Sequence, residues 1–326
     1  MKPAQIGRTC QHHWDGKTGR IGNGFFGEVF TARITERGDY TGQDVVVVKR
    51  VYMKHTQFLE DTNNFARYQQ RLQAIFCLTH DNLMKYHKVS VYPQLVGATF
   101  EFMMDYYPYG NLRARLDMMK NTRTLLDPAK AVRYSVDLAS GLSFLHQNNL
   151  THGDLKPENV LIDCADGRPE KLLISDLDGI VTILRGAISS LSNGHWRTSM
   201  RYMSPEMLDA FTPAAQHDVW SAIPAAKTDV WSAGCIALDL IRCITGDHQE
   251  LLRNPVTGQV MGQERRLSTM AFLVAVSVHH CIPVINAPPP VPPLLAECVR
   301  RCLQVDINDR LSAETLLKEL LSMKLN

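Results

Sequence analysis

The hydrophobic pattern changes character once, near Tyr106–Asn111. That change restricts the chain to a strand-rich front joined to a helix-rich back. Ahead of it, Arg20–Ile34 reads as strand broken by three glycines, and Val45–Val48 is an uninterrupted β-branched run ending in Lys49-Arg50. Leu83–Val91 and Leu95–Met104 predict a further strand pair, while Thr56–Leu78 is more helical, with Leu72, Ile75 and Leu78 at helix spacing. Behind it, Asp127-Pro128 is a helix-start signal, because proline suits the first helical position. The helix it opens places Val132, Val136, Ala139, Leu142 and Leu145 on one apolar face, and helices are expected to dominate from there to the end. The implied class is α+β, in two lobes with a short joint.

Composition narrows the function. A length of 326 residues suffices for two cores, and 45% hydrophobic with 21% charged residues is ordinary for a globular chain. A net charge of +2 argues against nucleic-acid or membrane-surface partners. Met1–Gln11 is polar, so no secretory signal is expected, and Val230–Ile241 and Ala271–Ile285 are too short or too interrupted to span a bilayer. The eight cysteines form no CxxC pair. Cys298 and Cys302 share a helical face, a pattern that favours burial over metal binding. A soluble protein in a reduced cytoplasmic setting is expected, with the nucleus not distinguished. Two irregularities remain. Asp218-Val-Trp-Ser-Ala222 recurs as Asp229-Val-Trp-Ser-Ala233, which reads as a local duplication lengthening a loop. Ala287–Pro293 is proline-rich and reads as a rigid connector between two helices rather than a polyproline ligand.

Gly22-Asn-Gly24-Phe-Phe-Gly27 is weak by itself, since an ordinary hairpin or a dinucleotide-binding turn could carry it. Immediately after it, Glu28–Arg33 continues as strand-like alternation and the next apolar run ends in Lys49, which fits a glycine turn covering phosphates. A lysine there could equally be an edge residue with a solvated head. His152–Asn159 sharpens the reading. Asp154 can accept a hydroxyl proton, Lys156 can neutralise a transferring phosphoryl group, and Asn159 offers an amide oxygen to a metal. Asp176, after the apolar Leu172–Ile174, can hold Mg²⁺ from the other side. Phosphoryl transfer needs positioning, a metal bridge and fixed charge rather than covalent chemistry by the protein.

From about Arg20 to Leu320 the order of these elements resembles the protein kinase superfamily. The resemblance implies an N-terminal extension over 1–15, a β-rich N-lobe over 16–105 and a helical C-lobe over 106–326. It implies that Gly22, Gly24 and Gly27 form the glycine-rich loop, flanked by Ile21 and Val29, and that Lys49 anchors phosphate. Met104, Asp105 and Tyr107 fall at the hinge that holds adenine, with Val47 as roof and Leu161 as floor. Asp154 and Lys156 take the catalytic positions, and Asn159 and Asp176 the metal positions. Glu206 in Tyr202–Glu206 resembles the APE glutamate, with Arg310 as its partner, Asp229 as the anchor of the catalytic loop and Ser199 as the brace of the catalytic aspartate. ATP and Mg²⁺ are the implied cofactors, and a protein serine or threonine the implied acceptor, because Lys156 in Asp154–Asn159 is the serine/threonine-type pattern.

Four departures stand against that pattern. The helix C glutamate slot reads Arg71, no acid occurs from Asn64 to Arg71, and Glu60-Asp61 come too early, so either Gln69 or Gln70 substitutes as a neutral acceptor or the active arrangement is formed differently. The DFG position reads Asp176-Leu-Asp178, with Gly179 one place late. Gly153 replaces the arginine before the catalytic aspartate, so Ser189, Ser190, Ser192 and Thr198 are not expected to act through a phosphate on that arginine. Val47 stands where alanine is usual. The missing helix C acid, the altered DFG position and Val47 support the alternative of a pseudokinase, a nucleotide-binding or scaffold module.

Overall fold

The computed structural model describes residues 4–7, 11–13, 20–24, 27–38, 41–54, 72, 75–95, 97–164, 167–177, 200–209, 225–249, 251–263, 271 and 274–323. Two compact units are present, Met1–Pro108 and Tyr109–Asn326. Among the described residues no helix is long and apolar enough to cross a membrane.

The first unit is an antiparallel sheet of seven strands: β1 (Ala4–Gly7), β2 (Gln11–His13), β3 (Arg20–Gly24), β4 (Gly27–Glu36), β5 (Val45–Lys54), β6 (Tyr86–Gln94) and β7 (Gly97–Asp105). Their order is β1-β6-β7-β5-β4-β2, with β3 also on β4. The residues set apart as an extension therefore contribute a strand to each margin of this sheet. Only three residues separate Gly7 from Gln11, a reach of about 15 Å at 3.8 Å per step. Five strand spacings of a flat sheet would need about 24 Å, so the sheet must curl towards closure.

Register then assigns the two faces. Directly paired residues share a face; Val29 opposite Lys49 and Thr31 opposite Val47 continue to Phe102 and Met104. The other face gathers Ala32, Val46, Val48 and Met103 into a buried cluster with Ile34 beside it. On the first face Tyr86 packs edge-on against Phe102 and against Phe76 of the short helical stretch 75–77.

In the second unit, α1 (Leu112–Thr122) starts at Asn111, whose side chain accepts from Ala114 N–H. Next, α2 (Pro128–Gln147) begins as its sequence signals, with Asp127 capping Lys130 N–H at 2.7 Å and proline at the first turn. Its buried face includes Val132, Leu138, Ala139, Leu142 and Leu145; Val136 is only half-buried, because Leu138 completes the stripe instead. A two-stranded ladder follows, β8 (Val160–Asp163) with β9 (Lys171–Ile174), then α3 (Pro205–Asp209) and α4 (Ala225–Thr245). From Thr228 to Cys243 α4 is buried on all sides, so it forms the axis of this unit rather than a surface helix.

Helices do not take up all the rest. A three-stranded sheet of β10 (Leu251–Arg253), β11 (Val260–Gln263) and β12 (Ile282–Pro283) is inserted before α5 (Pro293–Cys302) and α6 (Ala313–Leu321). The proline-rich segment accordingly joins a strand to a helix. Leu252 of that sheet packs with Met203, Met207, Leu208, Ala275, Val276 and Cys281. Cys298 and Cys302 are both buried on α5.

Candidate functional site

The loop His152–Asn159 is fixed from two directions. Below it, Asp229 of α4, 1% exposed, accepts His152 N–H at 2.9 Å and Gly153 N–H at 2.8 Å, and its Oδ2 also meets His146 Nε2 of α2 at 2.9 Å. Above it, His152 Nε2 lies 2.8 Å from Ser175 O, while Asp154 N–H donates to His152 Nδ1. Two backbone amides and an imidazole on one buried carboxylate leave that loop little freedom, since an ionised acceptor strengthens each bond. Asp218, the other copy of the duplicated motif, lies outside the described residues.

Gly153 sits at φ 75 with nothing within 4 Å of where a Cβ would be. The left-handed backbone, rather than crowding, is what selects glycine there.

Within the loop, Lys156 Nζ donates to Asp154 Oδ2 at 2.6 Å. Asn159, in the 3₁₀ turn Pro157–Asn159, donates Nδ2 to Asp154 O at 2.8 Å and to Asp154 Oδ2 at 3.3 Å. That engagement fixes the amide so that Oδ1 is the atom turned away from Asp154. Burial pushes the Asp154 carboxyl above the ordinary carboxylate range; Lys156 opposes this and the nearby Asp176 charge adds to it.

The β8–β9 ladder brings the last two groups together. Val160 pairs with Ile174, and beyond that rung Ser175 N–H and Oγ both donate to Asn159 O, at 2.8 and 2.9 Å. Asp176 comes next with φ 64, a left-handed conformation rare for a residue with a side chain. Held strain of this kind concentrates where geometry is used. Leu161, on β8, is half-buried and bridges to Asn111. Asn159 and Asp176 thus present oxygen donors near Asp154, and among the described residues no group of three or more His, Cys, Asp or Glu gathers to hold a metal. A sparse oxygen set fits Mg²⁺, which keeps waters and substrate phosphates as its other ligands, better than a caged ion.

In the first unit, β3 and β4 form a hairpin with Gly24 opposite Gly27, which rules out the strand-to-helix turn of a dinucleotide site. At Gly27 a Cβ would fall 1.9 Å from Arg50 O, so only glycine allows β4 to pass β5 there. Gly22 and Gly24 lie on β3, where Ile21 is exposed. Val29, Val47, Lys49 and Met104 share one sheet face, with Lys49 and Met104 buried. Asp105 ends β7 and its carboxylate meets buried His87 at 2.7 Å; half-buried Tyr107 follows.

A family model described as a protein kinase domain matches residues 16–321. The chain belongs to the protein kinase family. Its fold is the two-lobed α+β kinase fold, with a small antiparallel-sheet N-lobe and a helical C-lobe. Among curated relatives, the kinase domain is 28% identical over 222 residues to the inhibitor of nuclear factor kappa-B kinase subunit alpha of Xenopus laevis, covering 67% of this chain and 27% of that protein. It is 29% identical over 143 residues to the serine/threonine-protein kinase SSK22 of Saccharomyces cerevisiae, covering 44% of this chain and 10% of that one. The tyrosine-protein kinase JAK1 of Danio rerio is 31% identical over 146 residues, 44% of this chain and 11% of that protein. The chain thus spans about a quarter or less of these relatives' lengths.

Further from the loop, Arg310 is buried and holds Glu206 of α3 through NH1 at 2.6 Å and NH2 at 3.0 Å, with its guanidinium 5.2 Å from the Trp231 ring centre. Sequence reasoning missed His146 and Ser175 as supports of the loop, and missed the buried Asp239, on which Arg201, Tyr202 and Arg242 converge. A charged residue repeating within the otherwise apolar run of α4 was the available signal for Asp239. Ser199, Arg71, Glu60, Asp61, Gln69, Gln70, Asp178, Gly179 and the serines and threonine between Ser189 and Thr198 lie outside the described residues.

Proposed function

We propose that this chain is an ATP- and Mg²⁺-dependent protein kinase that phosphorylates serine or threonine hydroxyls of proteins, with lobes divided at 16–105 and 106–326. The supporting observation is the loop itself, where Lys156 and Asn159 both bond Asp154 and Asp229 anchors the backbone beneath. In this reading Asp154 orients the acceptor hydroxyl and receives its proton. Lys156 holds that carboxylate in place and carries positive charge at the same point. Asn159 and Asp176 are the protein's Mg²⁺ ligands, and the metal supplies charge neutralisation on the phosphates when bound. Gly22, Gly24, Gly27 and Lys49 take the phosphates, and Ile21, Val29, Val47, Met104, Asp105, Tyr107 and Leu161 take the nucleoside. Serine/threonine specificity rests on Lys156 and on the activity for which the yeast relative is named.

Phosphate incorporation from Mg-ATP into generic protein substrates is expected for the wild type and absent in Asp154→Asn; equal signals from the two proteins sink the proposal. The second reading, a pseudokinase scaffold, is favoured by Arg71 and by the missing acid between 64 and 71. A nucleotide-dependent rise in melting temperature without phosphorylation would support it.

A further inference from the structure

Two side chains with no part in the loop chemistry brace the end of β7, one from the side of each neighbouring strand. On the β6 side, the consecutive residues Met103 and Met104 pair with Lys88 and Tyr86, so His87 between them has no opposite residue. His87 is thus the extra residue of a β-bulge, and the slip it introduces puts Tyr86 and Lys88 on opposite sheet faces. His87 itself is 6% exposed, and its Nε2 reaches Asp105 Oδ1, just beyond Met104, at 2.7 Å. A carboxylate oxygen accepts, so Nε2 carries the hydrogen.

On the β5 side, exposed Gln43 in the β4–β5 turn accepts Tyr106 N–H on Oε1 at 2.9 Å. The turn itself is tied down around that glutamine. Arg37 donates to Gly42 O at 3.0 Å and pairs with Asp44, the residues on either side of Gln43, and Ile34 N–H donates to Asp44 O at 2.9 Å. Strand ends open easily unless something holds them. Here a bulged, buried histidine and a fixed turn glutamine, 18 and 63 residues away in the chain, hold two successive residues of one strand end. Bulges that re-aim a side chain are common beside sites where position is used.

We propose that His87 and Gln43 are positioning residues for nucleotide binding, fixing the backbone of Asp105–Tyr107 from its two flanks so that a purine base meets a rigid edge. A backbone edge tells bases apart by where its N–H and C=O groups stand, so a small displacement costs both affinity and discrimination. Holding that edge before the ligand arrives also removes the ordering cost of binding. Acting through the backbone, the two side chains bear on the base and leave the phosphates and the transfer step alone. The inference rests on the reading that Met104–Tyr107 receives the nucleoside, whereas its test measures binding and needs no phosphoryl transfer.

Displacement of a fluorescent ATP analogue in the presence of Mg²⁺ gives inhibition constants for adenosine, ATP, GTP and tripolyphosphate. The proteins are wild type, His87→Phe, His87→Gln, Gln43→Ala and a remote control, Arg300→Gln. His87→Phe should weaken adenosine and ATP about tenfold, as the loss of a charge-assisted bond does, and Gln43→Ala about threefold, as the loss of a neutral one does. Both should shrink the preference for ATP over GTP by the same factors, while tripolyphosphate keeps its wild-type value and the control changes nothing. His87→Gln, which can set an amide N–H where Nε2 stands, should recover most of the loss. Where phosphate transfer is followed, KM for ATP should rise by these factors with kcat unchanged. Wild-type adenosine affinity in both His87→Phe and Gln43→Ala overturns the proposal, as does a wild type that binds no adenosine. So does a loss for tripolyphosphate as large as that for adenosine, the sign of general unfolding rather than of a displaced edge. If His87→Phe does not fold, Gln43→Ala, an exposed site, decides alone. An inactive wild type whose variants show these adenosine losses would sink the kinase reading and leave the brace standing.

Discussion

Arg310 offers the most demanding test of the packing, because its guanidinium is wholly buried and makes five bonds. It donates to Glu206 twice, to Gln304 O from Nε at 3.1 Å and NH2 at 3.0 Å, and to Lys227 O at 3.0 Å. Its side chain is 0% exposed, whereas that of Glu206 is 22% exposed. The two halves of the pair are therefore not equivalent. Arg310→Met strands a carboxylate that can partly rehydrate and frees the carbonyls of half-buried Gln304 and Lys227. Glu206→Gln strands a cation that has no route to water. Breaking a buried pair from one side costs about 3–5 kcal/mol, mostly the desolvation left on the survivor. Arg310→Met is expected near the lower end and Glu206→Gln near the upper end of that range. The double variant should lose much less than the sum, with a coupling of at least about 2 kcal/mol, since no uncompensated charge remains. Urea unfolding followed by intrinsic fluorescence supplies the midpoints and slopes. Additive single effects, or a loss under about 1 kcal/mol for Arg310→Met, would refute the reasoning that charge burial governs this contact.

Two further expectations concern other parts of the C-lobe. Glu170 is held by Lys130, by Tyr134 OH at 2.8 Å and by Arg115 at 3.1 Å. Burial alone would raise its carboxyl, but these partners bring it down to about 2 from the ordinary 4.5. A depressed folded value stabilises above pH 4.5 and loses that contribution as pH falls towards 2. After allowance for solvent screening, the loss in that window should be about 1–2 kcal/mol, visible as a melting-temperature slope that Glu170→Gln flattens. At Gly153, where space is open but φ is 75, Ala and Arg should each cost about 1–2 kcal/mol in urea unfolding; a much larger effect for Arg than for Ala would show that the side-chain space is not free.

How far the sequence could be read depended on the range of each interaction. Local signals were legible: Asp127-Pro128 capped α2 where its side-chain chemistry required, and the β-branched run at Val45 became β5 with Lys49 on the face it shares with Val29 and Phe102. The order of motifs likewise pointed to the kinase fold. Strands of two to four residues, as in β10, β11 and β12, carry no period long enough to detect. Val136 looked apolar at helix spacing, yet packing chose Leu138, two places on. Polar convergence was the least legible of all. The Asp229 anchor of the loop followed from the resemblance, but nothing in a one-dimensional pattern marks His146, 83 residues from Asp229, as its third partner.

The curl of the N-lobe sheet bears on how this protein behaves in company. A strand with one unpaired side offers a row of N–H and C=O groups to any passing chain. Here β1 covers the outer side of β6, while β2 and β3 together cover that of β4. The short stretch from Ala4 to His13 therefore hems both margins at once. Losing it would leave nine-residue β6 as an edge in place of four-residue β1, and β4 covered by β3 alone, a longer template for self-association.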